Sequence, residues 1–282
     1  MHRLILVEGL PGSGKTTLSK KIASYLREWR ETNHYNEGEA HPADLAWCAC
    51  VPSEQLKAIY ERFPKYRPHM EAHMTVEDGV AIIPYTRFPI EDQEFYALME
   101  SFEVYDHRVG FETFCELHLK RWQRFAEATL TEDSINVFEC AYLQNHINEL
   151  LLFHEMSEAQ IESYLLRLID TVLKLNPVII YLDHPDVTHS LRQVSDARVD
   201  TKGERVWMDR VIAYIESCPF GKSHHLKGFE GMVAYFEHRK SIELRLMQQL
   251  PVKAHMVTHD GDWEQTWRTL KSLLDTEIVM PA

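Results

Sequence analysis

Basic residues are in short supply in this chain. It has 30 lysines and arginines against 43 aspartates and glutamates, a formal net charge of -13. Sequence-independent binding to nucleic acid needs a basic face, so that function class is set aside. A local basic pocket for phosphates stays compatible with the charge. Cysteine is scarce too. The five residues Cys48, Cys50, Cys115, Cys140 and Cys218 are odd in number and share no repeated spacing. That argues against a disulfide framework or a zinc ribbon and for reduced thiols. No apolar run approaches the length that spans a bilayer. The short apolar run at residues 4–7 leads into a glycine-rich loop, with none of the architecture of a signal peptide. Internal repeats, low-complexity segments and clear linkers are also missing. The expectation is a cytoplasmic protein without membrane or nucleic-acid partners. No pattern encodes an oligomeric state.

What is present reads as globular. Hydrophobic residues make up 45% of 282, aromatic residues 11%, enough for one large α/β domain or a domain carrying an insertion. Residues 3–8, RLILVE, read as a buried parallel strand. Residues 16–30 carry Leu18, Ile22, Ala23, Leu26 and Trp29 at helical spacing. A short second strand falls near 33–36. Residues 53–63 read as a helix capped by Ser53. Residues 74–88 read as a hairpin turning at Asp78-Gly79, and 91–130 as helical. The span 45–130 interrupts a strand–helix alternation and is taken as an inserted, mainly helical cap on a single domain covering 1–282. The alternation resumes with a strand at 134–139, helices at 141–155 and 158–175, and a strand at 178–183. Further helices follow at 186–217 and 229–250, then a last strand at 252–257 and a closing helix at 262–274.

Between the first strand and the first helix stand Gly9, Leu10, Pro11, Gly12, Ser13, Gly14, Lys15, Thr16 and Thr17. They satisfy G-x-x-x-x-G-K-S/T in the strand-then-helix context that this motif requires. The glycines let successive backbone N–H groups curl inward on phosphate oxygens. The helix adds its positive end. Lys15 reaches the outer phosphates as a point charge, and Thr16 offers a hydroxyl to Mg²⁺. The motif is specific for nucleotide phosphates and not for kinase chemistry.

ILVEGLPGSGKTT, with Glu8 before the first glycine and Thr17 after Thr16, resembles the opening of thymidylate kinases and deoxynucleoside kinases. NPVIIYLDHPDV at 176–187 is similar to their fourth strand, and VTHDGDWEQTWRTL at 257–270 to their close, where strand and loop pass the adenine ring. The resemblance does not extend over 45–130. It implies a phosphate-loop kinase fold, a parallel sheet of about five strands with helices on both faces. It also implies transfer of the terminal phosphate of ATP with Mg²⁺. It places a metal-organising or proton-accepting carboxylate at Glu139, and lid arginines at Arg192 and Arg198. Where the family usually follows that carboxylate with arginine, Cys140 stands here, so the arginine that would grip an acceptor is absent from that position.

Other candidates are weaker. Glu37, before His41-Pro42-Ala43-Asp44, lies where a second strand delivers an acidic residue to the ligand crevice. Asp183 ends a strand and competes with Glu139 as the metal-linked acid. Arg87 and Arg108 are candidate acceptor contacts, and Arg205 a further lid cation. Trp122 and Phe125, three apart, read as core. His69 and His73, like His255 and His259, are four apart, but Met70 and Met256 stand where a zinc-protease motif has glutamate. The leading expectation is ATP- and Mg²⁺-dependent phosphoryl transfer to a nucleoside- or nucleotide-like molecule or a secondary metabolite. The alternative is a nucleotide-dependent regulatory ATPase acting on a protein partner.

Overall fold

The computed structural model describes residues 2–37, 40–199, 203 and 205–279. Eight strands occur among them: β1 Leu4–Gly9, β2 Thr32–Tyr35, β3 Ala49–Pro52, β4 Thr75–Glu77, β5 Val80–Ile83, β6 Ile135–Glu139, β7 Val178–Asp183 and β8 Lys253–Thr258. Five form one parallel sheet in the order β2-β6-β1-β7-β8. The strand that feeds the glycine loop is therefore central. Val7 pairs with Glu139 and Gly9 with Leu182, so all three strand ends open at the same edge. This is the α/β architecture that the resemblance implies.

Alternation along the strands makes two cores. Ile5, Val7, Val137, Ile180 and Leu182 face Leu18, Ile22, Leu26 and Leu270 of the first and last helices. Leu4, Leu6, Phe138, Ile179 and Tyr181 face the other way, into the larger cluster. Helix Phe111–Leu130 enters that second core with Phe114, Trp122 and Phe125. Trp122 is fully buried, as a core residue should be.

The segment ahead of that helix has its own sheet and its own apolar cluster. β3-β5-β4 pair antiparallel, and Tyr66, Met70, Phe95 and Met99 pack beneath them. The hairpin β4–β5 turns at Asp78 and Gly79, both left-handed with φ 50 and 77, the conformation for which a two-residue turn selects Asp-Gly. β3 was not visible in the sequence. Ser53 is the first residue of its helix and not its cap: Pro52 holds that place, and no side chain caps it. The helix expected over 141–155 is broken up, with an α turn at Gln144–Asn148 running into a wider π turn at Glu149–Phe153. The helix expected to 175 ends at Asp170. All five cysteines are unpaired. Among the described residues no helix is long and apolar enough to cross a membrane.

Candidate active site

The glycine loop is shaped by what crowds it. A Cβ on Gly12 would lie 2.6 Å from the Ser190 hydroxyl and 2.8 Å from its carbonyl oxygen. Only glycine lets helix Val187–Ala197 close so near, and Ser190 Oγ then donates to the Pro11 carbonyl at 2.9 Å. A Cβ on Gly14 would lie 2.8 Å from Trp263. Both glycines are left-handed, φ 86 and 83. Lys15 folds back over the loop, and its Nζ donates to the carbonyls of Gly9 at 2.9 Å and Leu10 at 2.8 Å.

Thr16 Oγ1 donates to Glu139 Oε1 at 2.5 Å. Two hard oxygen donors at the head of a phosphate loop fit Mg²⁺. Asp183 is committed elsewhere, with Lys240 Nζ 2.5 Å from its Oδ1.

The chain turns sharply after Glu139, and Cys140 is left-handed with φ 62. Glu8 holds this turn. Its fully buried carboxylate accepts from the N–H of Tyr142 at 2.8 Å and of Gln144 at 3.3 Å. Burial pushes its pKa up to about 7, against the pull of those backbone bonds. Between its ordinary 4.5 and about 7 the folded state holds more protons than the unfolded chain. Stability contributed by Glu8 therefore falls as pH rises through that window and is level outside it. The stability of wild type relative to Glu8→Gln should fall by about 3 kcal/mol from pH 4 to pH 8. Urea titrations of both proteins across that range measure it, and a pH-independent difference would contradict it.

A cavity of about 500 Å³ opens beyond the loop. Pro11, Gly12, Gly14, Lys15, Thr16 and Thr17 line one end. Glu139, Cys140, Glu37 and Gln144 line the floor, and Arg198, Trp207 and Arg239 also face it. Glu37 is an exposed residue whose carboxylate receives Gln144 Nε2 at 3.3 Å. Surrounding protein raises its pKa, opposed by Lys15 and reinforced by Glu139 and Asp44.

Sequence reasoning missed Arg239. It lies on helix Gly228–Met247 and its side chain is 1% exposed. Nη1 donates to Asn148 Oδ1 at 3.0 Å and Nη2 to the Gly9 carbonyl at 3.4 Å. Nε pairs with Glu243 at 3.0 Å, and Glu243 also accepts from the Tyr181 hydroxyl at 2.6 Å. A signal existed. Tyr235, Arg239, Ile242 and Leu246 are spaced four, three and four apart, which places the arginine on the buried stripe.

The two lid arginines part company. Arg198, at the end of its helix, lines the cavity with its guanidinium over the Trp207 ring at 5.3 Å. Arg192 is exposed, lies over Phe229 at 5.2 Å and does not line the cavity. Arg205 pairs with Asp196 at 2.6 Å. Arg87 sits in a short turn of the cap, Tyr85–Arg87, and Arg108 pairs with Glu100 at 3.7 Å. Neither lines the cavity.

His69 and His73 both stack on Phe88 inside the cap. Among the described residues, Asp44, His118 and His146 bring potential metal-ligating atoms within 4.8 Å of one another. The Asp44 oxygens are already taken by the Tyr105 hydroxyl at 2.6 Å, the Asn145 amide at 2.8 Å and the Leu45 N–H at 2.8 Å. The group is a buried hydrogen-bonded joint between residues 44–45, Tyr105, helix Phe111–Leu130 and the turn after β6.

No family model matches the chain, and no curated protein matches it. Among solved structures, it is similar to thymidylate kinase from Ehrlichia chaffeensis at 12% identity, covering 98% of this chain and 99% of that one, with a TM-score of 0.44.

Proposed function

We propose that this chain is an ATP- and Mg²⁺-dependent phosphotransferase acting on a small molecule. The observation that carries the proposal is the 2.5 Å contact between Thr16 and Glu139, set beside Lys15 in the lining of one cavity. Lys15 exchanges the two loop carbonyls for outer phosphate oxygens of ATP. Thr16 and Glu139 would hold Mg²⁺, which when bound neutralises charge on those phosphates. Arg198 and Arg239 keep positive charge facing the same space. The acceptor hydroxyl attacks the γ-phosphorus, and its O–P bond forms as the bond to the β,γ-bridging oxygen breaks. ADP leaves with that electron pair. The hydroxyl proton passes to Glu37 and on to solvent.

Residues 45–110 then serve as the acceptor-side cap, while helix Phe111–Leu130 belongs to the core of the main sheet. They contribute Trp47, Glu103, Tyr105 and Asp106 to a second chamber beside the first. A switch acting on a protein needs no such chamber, so transfer is favoured over regulatory hydrolysis. The test is incubation with γ-labelled ATP, Mg²⁺ and a mixed pool of nucleosides, nucleotides, sugars and small amines, read by mass spectrometry. A product heavier by one phosphoryl group is expected. ADP formed without any such product, and only when a macromolecule is added, would overturn the reading.

A further inference from the structure

The second chamber has a volume of about 420 Å³, and Glu37, Asn148, Trp207, Val211 and Tyr214 wall both cavities. Its charged lining is dominated by carboxylates. Glu37, Glu103, Asp106 and Glu149 face it against one cation, Arg210. The neighbouring cation Arg108 pairs with Glu100 at 3.7 Å, and the Glu149 carboxylate accepts from the N–H groups of Asp106 at 2.7 Å and His107 at 2.9 Å with His154 at 3.1 Å. Asp106 accepts from the Tyr214 hydroxyl at 2.5 Å and Glu103 from that of Tyr85. Trp47, Tyr105, Trp207 and Tyr214 add aromatic surface. Trp47 is 46% exposed, so its ring face is open to a ligand in the chamber.

Gln144 supplies an independent sign. It is 9% exposed and lines the first cavity on the side of Glu37. Donation from its Nε2 to the Glu37 carboxylate fixes which end of the amide is oxygen. That oxygen, Oε1, is buried and makes no hydrogen bond. A buried acceptor is costly unless a donor reaches it. The acceptor side therefore presents oxygens that take hydrogen bonds, and little that could hold a phosphate or carboxylate. A nucleoside monophosphate would meet more carboxylates than cations there, with Arg210 in the lining and Arg108 beside it.

We propose that the phosphoryl acceptor is an amine-bearing sugar or similar hydroxylated organic cation. The proposal rests on the kinase reading above. Its ring faces cover Trp47 and Trp207, an ammonium group pairs with Asp106, and a hydroxyl faces the phosphate loop beside Glu37. The ammonium stays protonated and takes no part in bond making. The hydroxyl oxygen forms the bond to the γ-phosphorus, ADP leaves with the electrons of the broken bridge bond, and the hydroxyl proton goes to solvent through Glu37.

The test uses the whole chain with γ-labelled ATP and Mg²⁺, and as separate probes kanamycin, glucosamine, N-acetylglucosamine, thymidine and thymidine monophosphate. Label is expected on kanamycin or glucosamine, with kcat/KM about tenfold or more above that for N-acetylglucosamine, which lacks the charge. Asp106→Asn should raise KM for the labelled amine about tenfold, with little change in kcat and no change in ATP affinity. Trp47→Ala, at a side chain too exposed to hold the fold, should raise the same KM about fivefold. Label on thymidine, its monophosphate or N-acetylglucosamine but on neither amine would overturn the amine assignment and leave the kinase standing. No label on any probe, with ATP binding that still depends on Lys15, would overturn it in the same way. ATP binding that ignores Lys15 would remove the kinase reading and this proposal together.

Discussion

Lys15→Ala should lower phosphoryl transfer by a factor on the order of 10²–10³ while leaving the protein folded. The side chain is buried, and its ammonium makes two bonds, both to carbonyls of its own loop. Those carbonyls belong to a loop that Ser190 holds from the other side. Losing the lysine therefore removes a charge from the phosphate path without removing the support of the loop. The stability cost should stay near about 1 kcal/mol, the net worth of an ordinary hydrogen bond. Three measurements separate these effects: equilibrium ATP binding, transfer rate and urea denaturation. Wild-type ATP affinity and rate in the variant would take the glycine loop out of the active site. A collapse of stability would mean that Lys15 serves the fold first.

The second large effect concerns the other buried cation. Arg239→Met should destabilise the protein by about 3–5 kcal/mol, because Glu243 is left charged in the core with only a tyrosine hydroxyl beside it. Adding Glu243→Leu to that variant should restore most of the loss, since a matched apolar pair needs no compensation. It would not restore all of it, because the Tyr181 hydroxyl would then be unpaired. Urea denaturation of the two single variants and the double variant measures the coupling. A loss under about 1 kcal/mol in Arg239→Met would show that water reaches the pair.

The donor side was legible in the sequence because its parts are contiguous. Residues 9–17 carry their own geometry, and the strands on either side of β1 are apolar runs whose carboxyl ends must share an edge with the loop. Glu139 was placed by the resemblance, and the register sets it beside Val7 at the same edge. The rest of the cavity wall was opaque because it is assembled from distant pieces. Arg239 reaches the Gly9 carbonyl across 230 positions, and a helical period alone does not say what a buried arginine meets. Arg192 and Arg198 were paired as lid residues, but the helix ends at Ala197 and Arg198 leaves it with φ -113 and ψ 52, so the two are not carried on one helical face. β3 is four residues long, and it is a strand only because β5 lies beside it. The hairpin of β4 and β5 was readable because Asp78-Gly79 is a local signal.

The carbonyl of Gly9 has a consequence for the timing of nucleotide capture. It accepts from both Lys15 and Arg239. If Lys15 turns to phosphate as proposed, Arg239 remains, buried and fixed by Glu243 and Asn148. The backbone of the loop then has no reason to move as the lysine swings. On the proposed reading capture needs one buried side chain to rotate, and an anionic nucleotide must approach against the chain's net charge of -13.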